Sequence, residues 1–152
     1  MSNAIELIDQ IARPALVVRR RAAVEQLPQL LGPAWGAVMA CAGKVGAVPA
    51  EAPFAAFHNT DMQDLDVEIG FAFDRPLQGE GEVRAGEIPA GRAVQCMHVG
   101  PFHELGATYA AMRAWMAQHG LQHVGPSLEH YLDDPADTPI ERVRTRVVIP
   151  VR

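Results

Sequence analysis

The sequence predicts an α+β fold, with antiparallel sheet and two helices on one side of it, laid out as strand–strand–helix–strand–strand twice over. Three observations predict it. An internal offset of 74 positions places Leu31, Gly32, Trp35, Val38, Ala42 and Gly46 on Leu105, Gly106, Tyr109, Met112, Met116 and Gly120, and carries Phe57 onto Tyr131 without a gap. Each set has the spacing of one helix face and ends in a glycine, and self-similarity at a fixed offset indicates a duplicated module. The segments around the helices have the length and alternation of strands. Between the halves lies DRPLQGEG (74–81), rich in turn residues. The expectation is one domain over 1–152 with halves 1–75 and 82–152, the helices related by a pseudo-twofold axis and bordering a central groove. Clefts between packed halves are favoured ligand sites.

The elements follow in order. A strand near 5–11 opens the first half and another over 15–22 leads into a helix over 28–44. Pro33 is awkward there, either kinking the first turn or marking a later start. Strands over 53–58 and 66–73 follow, and Ile69, Phe71 and Phe73 share one face of the second. The other half opens with a strand near 83–88, then one over 91–99. Its helix, 102–119, carries Leu105, Tyr109, Met112 and Met116 on one stripe, which Trp115 widens along an edge. Pro101 stands at the start, where a missing N–H costs nothing, and Gly120 ends the helix in the left-handed cap position. Strands over 128–132 and 143–151 close the chain.

Composition narrows the function. The chain has 152 residues, 49% hydrophobic and 20% charged, with a formal net charge of −5. This is too apolar for disorder. The negative balance argues against a direct nucleic-acid partner, which demands a basic face, and leaves neutral or cationic small molecules, or another protein. No apolar run reaches the roughly 18 residues of a membrane span. The opening MSNAIELIDQ lacks the basic start and apolar core of a secretory signal, so no membrane contact and a cytoplasmic location are expected. Cys41 and Cys96 form no CxxC pair and are expected as reduced, buried thiols. The six histidines show no ligand spacing such as HExxH, so no metal is expected. No phosphate loop, GxSxG elbow or dinucleotide fingerprint implies a cofactor.

The second half carries a set of short motifs in a fixed order. HVGPF runs from His98 to Phe102, then come Leu105, Tyr109, Trp115 and Gly120, then Gly125 and Pro126, then EHYLDDP from Glu129 to Pro135. The ordered set resembles the GyrI-like small-molecule-binding family, which also supplies the effector-binding part of several bacterial multidrug-responsive transcription activators. The resemblance implies a duplicated strand–helix–strand–strand fold. It also implies a central groove that takes bulky, apolar, often cationic compounds among aromatics, with an acidic residue corresponding to Glu129. Some stand-alone relatives are described as hydrolases opening cyclopropane rings of DNA-alkylating natural products, and others protect gyrase from toxins. The chain differs from the activators in having no room for a DNA-binding part, so a transcriptional role would need a separate partner.

The residues themselves frame the site. On a strand Glu129 and Tyr131 point together, away from Leu128, His130 and Leu132. A glutamate beside a tyrosine in an apolar groove is costly to ionise, and a bound cation favours its charged form. The residues alone leave open a solvated glutamate on an edge strand, and the resemblance favours the groove. Tyr109 and Trp35 are related by the offset, as are Tyr131 and Phe57, and either pair reads as groove wall or plain core. Phe102, Met112 and Trp115 on the second helix complete the expected lining, with Met39 and Met116 as adaptable surface. Glu68 shares a face with Asp66, Gly70 and Ala72, a face turned either to solvent or to the groove, where the small residues would leave room for a ligand. His98 reads as a strand-end histidine holding the HVGP turn. Arg19, Arg20 and Arg21 read as a solvated strand edge that discourages aggregation.

Three functions compete. The first is a binding module for amphipathic or cationic small molecules, oriented by Glu129. The second is a hydrolase in the same groove, with Glu129 as general base and Tyr131 or Tyr109 polarising the leaving group. The third is a protein that shields gyrase. A haem-binding family shares the duplicated architecture, but no residue here singles itself out as an axial ligand.

Overall fold

The computed structural model describes residues 4–152. Its main elements are β1 (Ile5–Gln10), β2 (Arg13–Ala22), α1 (Leu27–Gly43), β3 (Phe54–Phe57), β4 (Leu65–Ala72), β5 (Arg84–Ile88), β6 (Gly91–Val99), α2 (Leu105–Gln118), β7 (Ser127–Tyr131) and β8 (Arg144–Pro150). It is an α+β fold of antiparallel sheet and two helices, as the patterning predicts. The chain divides into two compact units, one made of residues 11–90 and the other of β1 with residues 91–152.

In the unit of residues 11–90 the strand order is β3-β4-β2-β5, and every neighbour is antiparallel. Helix α1 lies on β2 and β4 and buries Leu27, Ala34, Val38 and Ala42. It begins before Pro33 and continues past it, so the proline does not mark a later start of the helix. Both Pro33 and Gln29, whose carbonyl the proline cannot serve, are exposed, and water can satisfy that carbonyl. Residues 13–17 of β2 have β5 on one side. Beyond them the strand has, among the described residues, only β4 for a neighbour, and here the three consecutive arginines stand. Arg19 pairs with Asp66, Arg20 with Glu82 and Arg21 with Asp64. Gly70 has no spare room beside it: a Cβ there would run into the Leu16 carbonyl oxygen and come within 2.9 Å of a Val17 methyl. The space expected for a ligand at that position is filled by β2.

In the other unit the order is β1-β6-β8-β7, again antiparallel throughout. Helix α2 packs over β6. Val94, Cys96, Met112, Met116, Val147, Ile149 and Val151 form the core between helix and sheet, flanked by Ile5, Leu105, Tyr109, Trp115 and Leu121. The helix proper starts at Leu105, because residues 102–104 make a single 3-10 turn first. Pro101 caps that turn, which places it further from the helix than its expected first position. Gly120, with φ of 65°, ends the helical segment as predicted.

The two short opening strands are exchanged relative to the expected halves. β1 pairs with β6 through six consecutive residues, Ile5 opposite Cys96 to Gln10 opposite Gly91, while β5 pairs with β2. Cys96 is buried and Cys41 half-buried, and both are free thiols.

Candidate functional site

Register explains how the second unit assembles its polar cluster. On β7 Glu129 lies opposite Val147 and Tyr131 opposite Thr145. Directly paired residues share a face of the sheet, and Val147 belongs to the core under α2. Glu129 and Tyr131 therefore face the helix, and Leu128 and His130 face away, as the alternation requires. Tyr109, on the inward stripe of α2, comes down to meet them.

The contacts are specific. The Tyr109 hydroxyl donates to Oε2 of Glu129 at 2.7 Å, and the Tyr131 hydroxyl donates to Oε1 at 2.8 Å. Glu129 is 8% exposed. Among the described residues no lysine or arginine forms an ion pair with it. Burial pushes the Glu129 carboxyl above its usual range, against the opposing pull of the two tyrosine hydrogen bonds and the nearby His98. Burial likewise drives both phenols above theirs, and the Glu129 carboxylate adds to the push. The tyrosines stay protonated donors, and the carboxyl keeps its proton more readily than one in water. Phe102 closes one side, its ring edge-on to Tyr131 at 6.1 Å and 74°.

His98 is 5% exposed and holds the approach to α2. Its Nε2–H donates to the Pro101 carbonyl at 2.9 Å, and its Nδ1 is hydrogen-bonded with the Thr108 hydroxyl at 2.7 Å. This is the turn-holding histidine expected from HVGP. Thr145 lies opposite both His98 and Tyr131, fully buried, and its hydroxyl has no hydrogen-bond partner among the described residues. Sequence reasoning did not find it, and a threonine on a strand carries no signal that would have.

The other expected residues are placed as follows. Met112 is wholly buried in the core. Trp115 packs at the edge of that core, with His119 stacked on it at 3.8 Å. Trp35, Phe57 and Glu68 belong to the unit of residues 11–90. There the Trp35 indole N–H donates to the Phe54 carbonyl at 3.2 Å. The Glu68 carboxylate is held by Nε2 of His58 at 2.6 Å, each side chain 26% exposed. The structure thus gathers Tyr109, Glu129, Tyr131 and Phe102 into one cluster. Among the described residues no group of three or more histidine, cysteine, aspartate or glutamate side chains could hold a metal, and no helix is long and apolar enough to cross a membrane.

Known proteins resemble this arrangement at two levels. In fold, the C-terminal domain of EcmrR superposes with a TM-score of 0.88 at 21% identity, covering 100% of this chain and 99% of that one. EcmrR solved in complex with DNA gives 0.86 at 21% identity, and there the chain spans only 58% of the length. A hydrolase from Listeria innocua gives 0.70 at 22% identity, with 97% and 91% of the two chains covered. SAV2435 bound to tetraphenylphosphonium gives 0.65 at 12% identity, with 98% and 94% covered. No curated protein matches the chain by sequence. The model of one family, the GyrI-like small molecule binding domain, matches residues 4–152. The chain belongs to that family.

Proposed function

We propose that the chain binds amphipathic cations, with Glu129 as the receptor for the positive charge and Tyr109, Tyr131 and Phe102 as its aromatic surround. One observation carries this reading: a carboxyl group 8% exposed, held by two phenol hydroxyls and, among the described residues, in no ion pair with a lysine or arginine. A buried carboxyl without a cation of its own is costly to ionise, and a ligand cation supplies what is missing. The rings add cation–π attraction of about 0.5–2 kcal/mol. Support by likeness comes from SAV2435, solved with the lipophilic cation tetraphenylphosphonium.

The same Glu129 would serve a hydrolase as general base. Both of its oxygens already accept tyrosine hydroxyls, and no second acid joins the cluster among the described residues, so binding is the better supported reading. The equal strand orders of the two units, β1-β6-β8-β7 and β5-β2-β4-β3, support the reading of a duplicated module. The test of binding is calorimetric titration of tetraphenylphosphonium into the wild-type chain and Glu129→Gln. Glutamine keeps the shape and removes the charge, and affinity should fall by about 30-fold or more, the usual cost of losing one partner of a buried charge pair. Equal affinity in the two proteins removes Glu129 from the account.

A further inference from the structure

One arginine lies against an aromatic ring of the site. Arg13, Arg19, Arg20, Arg21 and Arg144 each lie against a carboxylate. Arg113 is exposed, and among the described residues it has no carboxylate partner. Its guanidinium carbon instead stands over the ring of Tyr109, 5.5 Å from the centroid. The two residues are four apart on α2, so they stack on one helix face. Tyr109 is the same residue whose hydroxyl donates to Glu129. The charge of Arg113 reaches that hydroxyl, where it opposes the effects of burial and of Glu129.

An arginine on a tyrosine face does two things to a site that awaits a cation. It occupies a π-surface the ligand would otherwise use. It also places a positive charge over the tyrosine whose hydroxyl holds the receiving carboxyl, where it repels the same ligand. We propose that Arg113 is a specificity-determining residue of this site: a built-in cation over Tyr109 that a cationic ligand must outcompete and that a neutral ligand does not feel. The proposal rests on the binding site named above, and it predicts a change opposite in direction to that of Glu129→Gln.

The experiment uses the full chain, with tetraphenylphosphonium as the cationic probe and triphenylphosphine oxide as a neutral one of similar shape. Arg113→Gln removes the charge at an exposed position and leaves the core untouched. Affinity for tetraphenylphosphonium should rise about two- to fivefold, the range of one exposed cation–π contact, while affinity for triphenylphosphine oxide stays unchanged. Arg113→Lys keeps the charge and loses the planar stacking, so it should gain less than Arg113→Gln. Binding of the cation gained only in Arg113→Gln also supports the proposal. Unchanged or weaker cation binding in Arg113→Gln overturns it, as does a parallel change for both probes, which would mean altered shape rather than charge. If Glu129→Gln binds the cation as the wild type does, the site reading fails by itself. If neither the wild type nor Arg113→Gln binds the cation, both fail together.

Discussion

Glu129 shows how one residue is made costly and then kept. Its carboxyl is buried, and its environment favours the protonated form in the folded chain. A group whose folded pKa lies above its unfolded value contributes its full stability below the unfolded value, about 4.3 for glutamate. It loses that contribution as pH rises through the folded one. The groups acting on it are Tyr109 from α2, His98 from β6 and Tyr131 beside it on β7. Asp64, Asp66 and Asp133 act in the opposite direction, since arginine partners hold their carboxyls below the usual range, and their contribution is lost as pH falls. Only the difference between two proteins isolates Glu129. Thermal melts of the wild-type chain and Glu129→Gln at steps from pH 4 to pH 8 should show the wild type losing stability relative to the variant as pH rises above the ordinary glutamate range. A difference that stays constant with pH would show that folding leaves the pKa of the carboxyl unchanged. The sequence made Glu129 and Tyr131 legible, because strand alternation alone puts them on one face. Arg113 was equally legible from its spacing to Tyr109 but signals nothing until the tyrosine is known to reach the glutamate. The His58–Glu68 pair needed β3 and β4 side by side, which spacing does not supply.

At the level of elements the patterning succeeded where a pattern is local. Both helices, their terminal stripes and all eight strands follow from periodicity and turn residues, because each is decided within a few residues of itself. The starts were less legible. A 3-10 turn precedes each helix, and such a turn shares the composition of a first helical turn. Pro33 does not delay the start of α1 for a related reason: its cost depends on whether the orphaned carbonyl meets water, which sequence does not report. That cost remains in the folded chain. Proline is about 3 kcal/mol worse than alanine inside a helix, and Pro33 is the seventh residue of α1 (Leu27–Gly43). Pro33→Ala should therefore stabilise the chain by ~1–3 kcal/mol, less the entropy that proline removes from the unfolded state. Urea denaturation gives the value, and a variant less stable than the wild type would show that the proline shapes the helix entry in a way alanine cannot.

At the scale of the whole chain, the feature hardest to read from sequence is also the one that decides its integrity. Strand β1 is separated from its neighbour β6 by the entire unit of residues 11–90. Pairing over that distance is set by three-dimensional closure, and no local signal encodes it. The candidate site depends on it at one remove. β1 covers the edge of β6, and Ile5 packs against the core that holds Met112, Val147 and Tyr109. A chain beginning at residue 11 would leave β6 with an open edge and Ile5 absent from that core. Lost pairing together with two partly buried apolar side chains, Ile5 and Ile8, is worth ~2–4 kcal/mol. The shortened chain should melt at lower temperature and should aggregate through the exposed edge. A synthetic peptide of residues 1–10 added in excess should restore part of the melting temperature by mass action, because the missing strand brings its own register. Tyrosine fluorescence should recover with it, since Tyr109 rests on the restored core. An unchanged melting temperature in the shortened chain would show that β1 contributes nothing to the stability of its unit. Failure of the peptide to rescue a destabilised chain would show that the link through residues 11 and 12 matters more than the pairing.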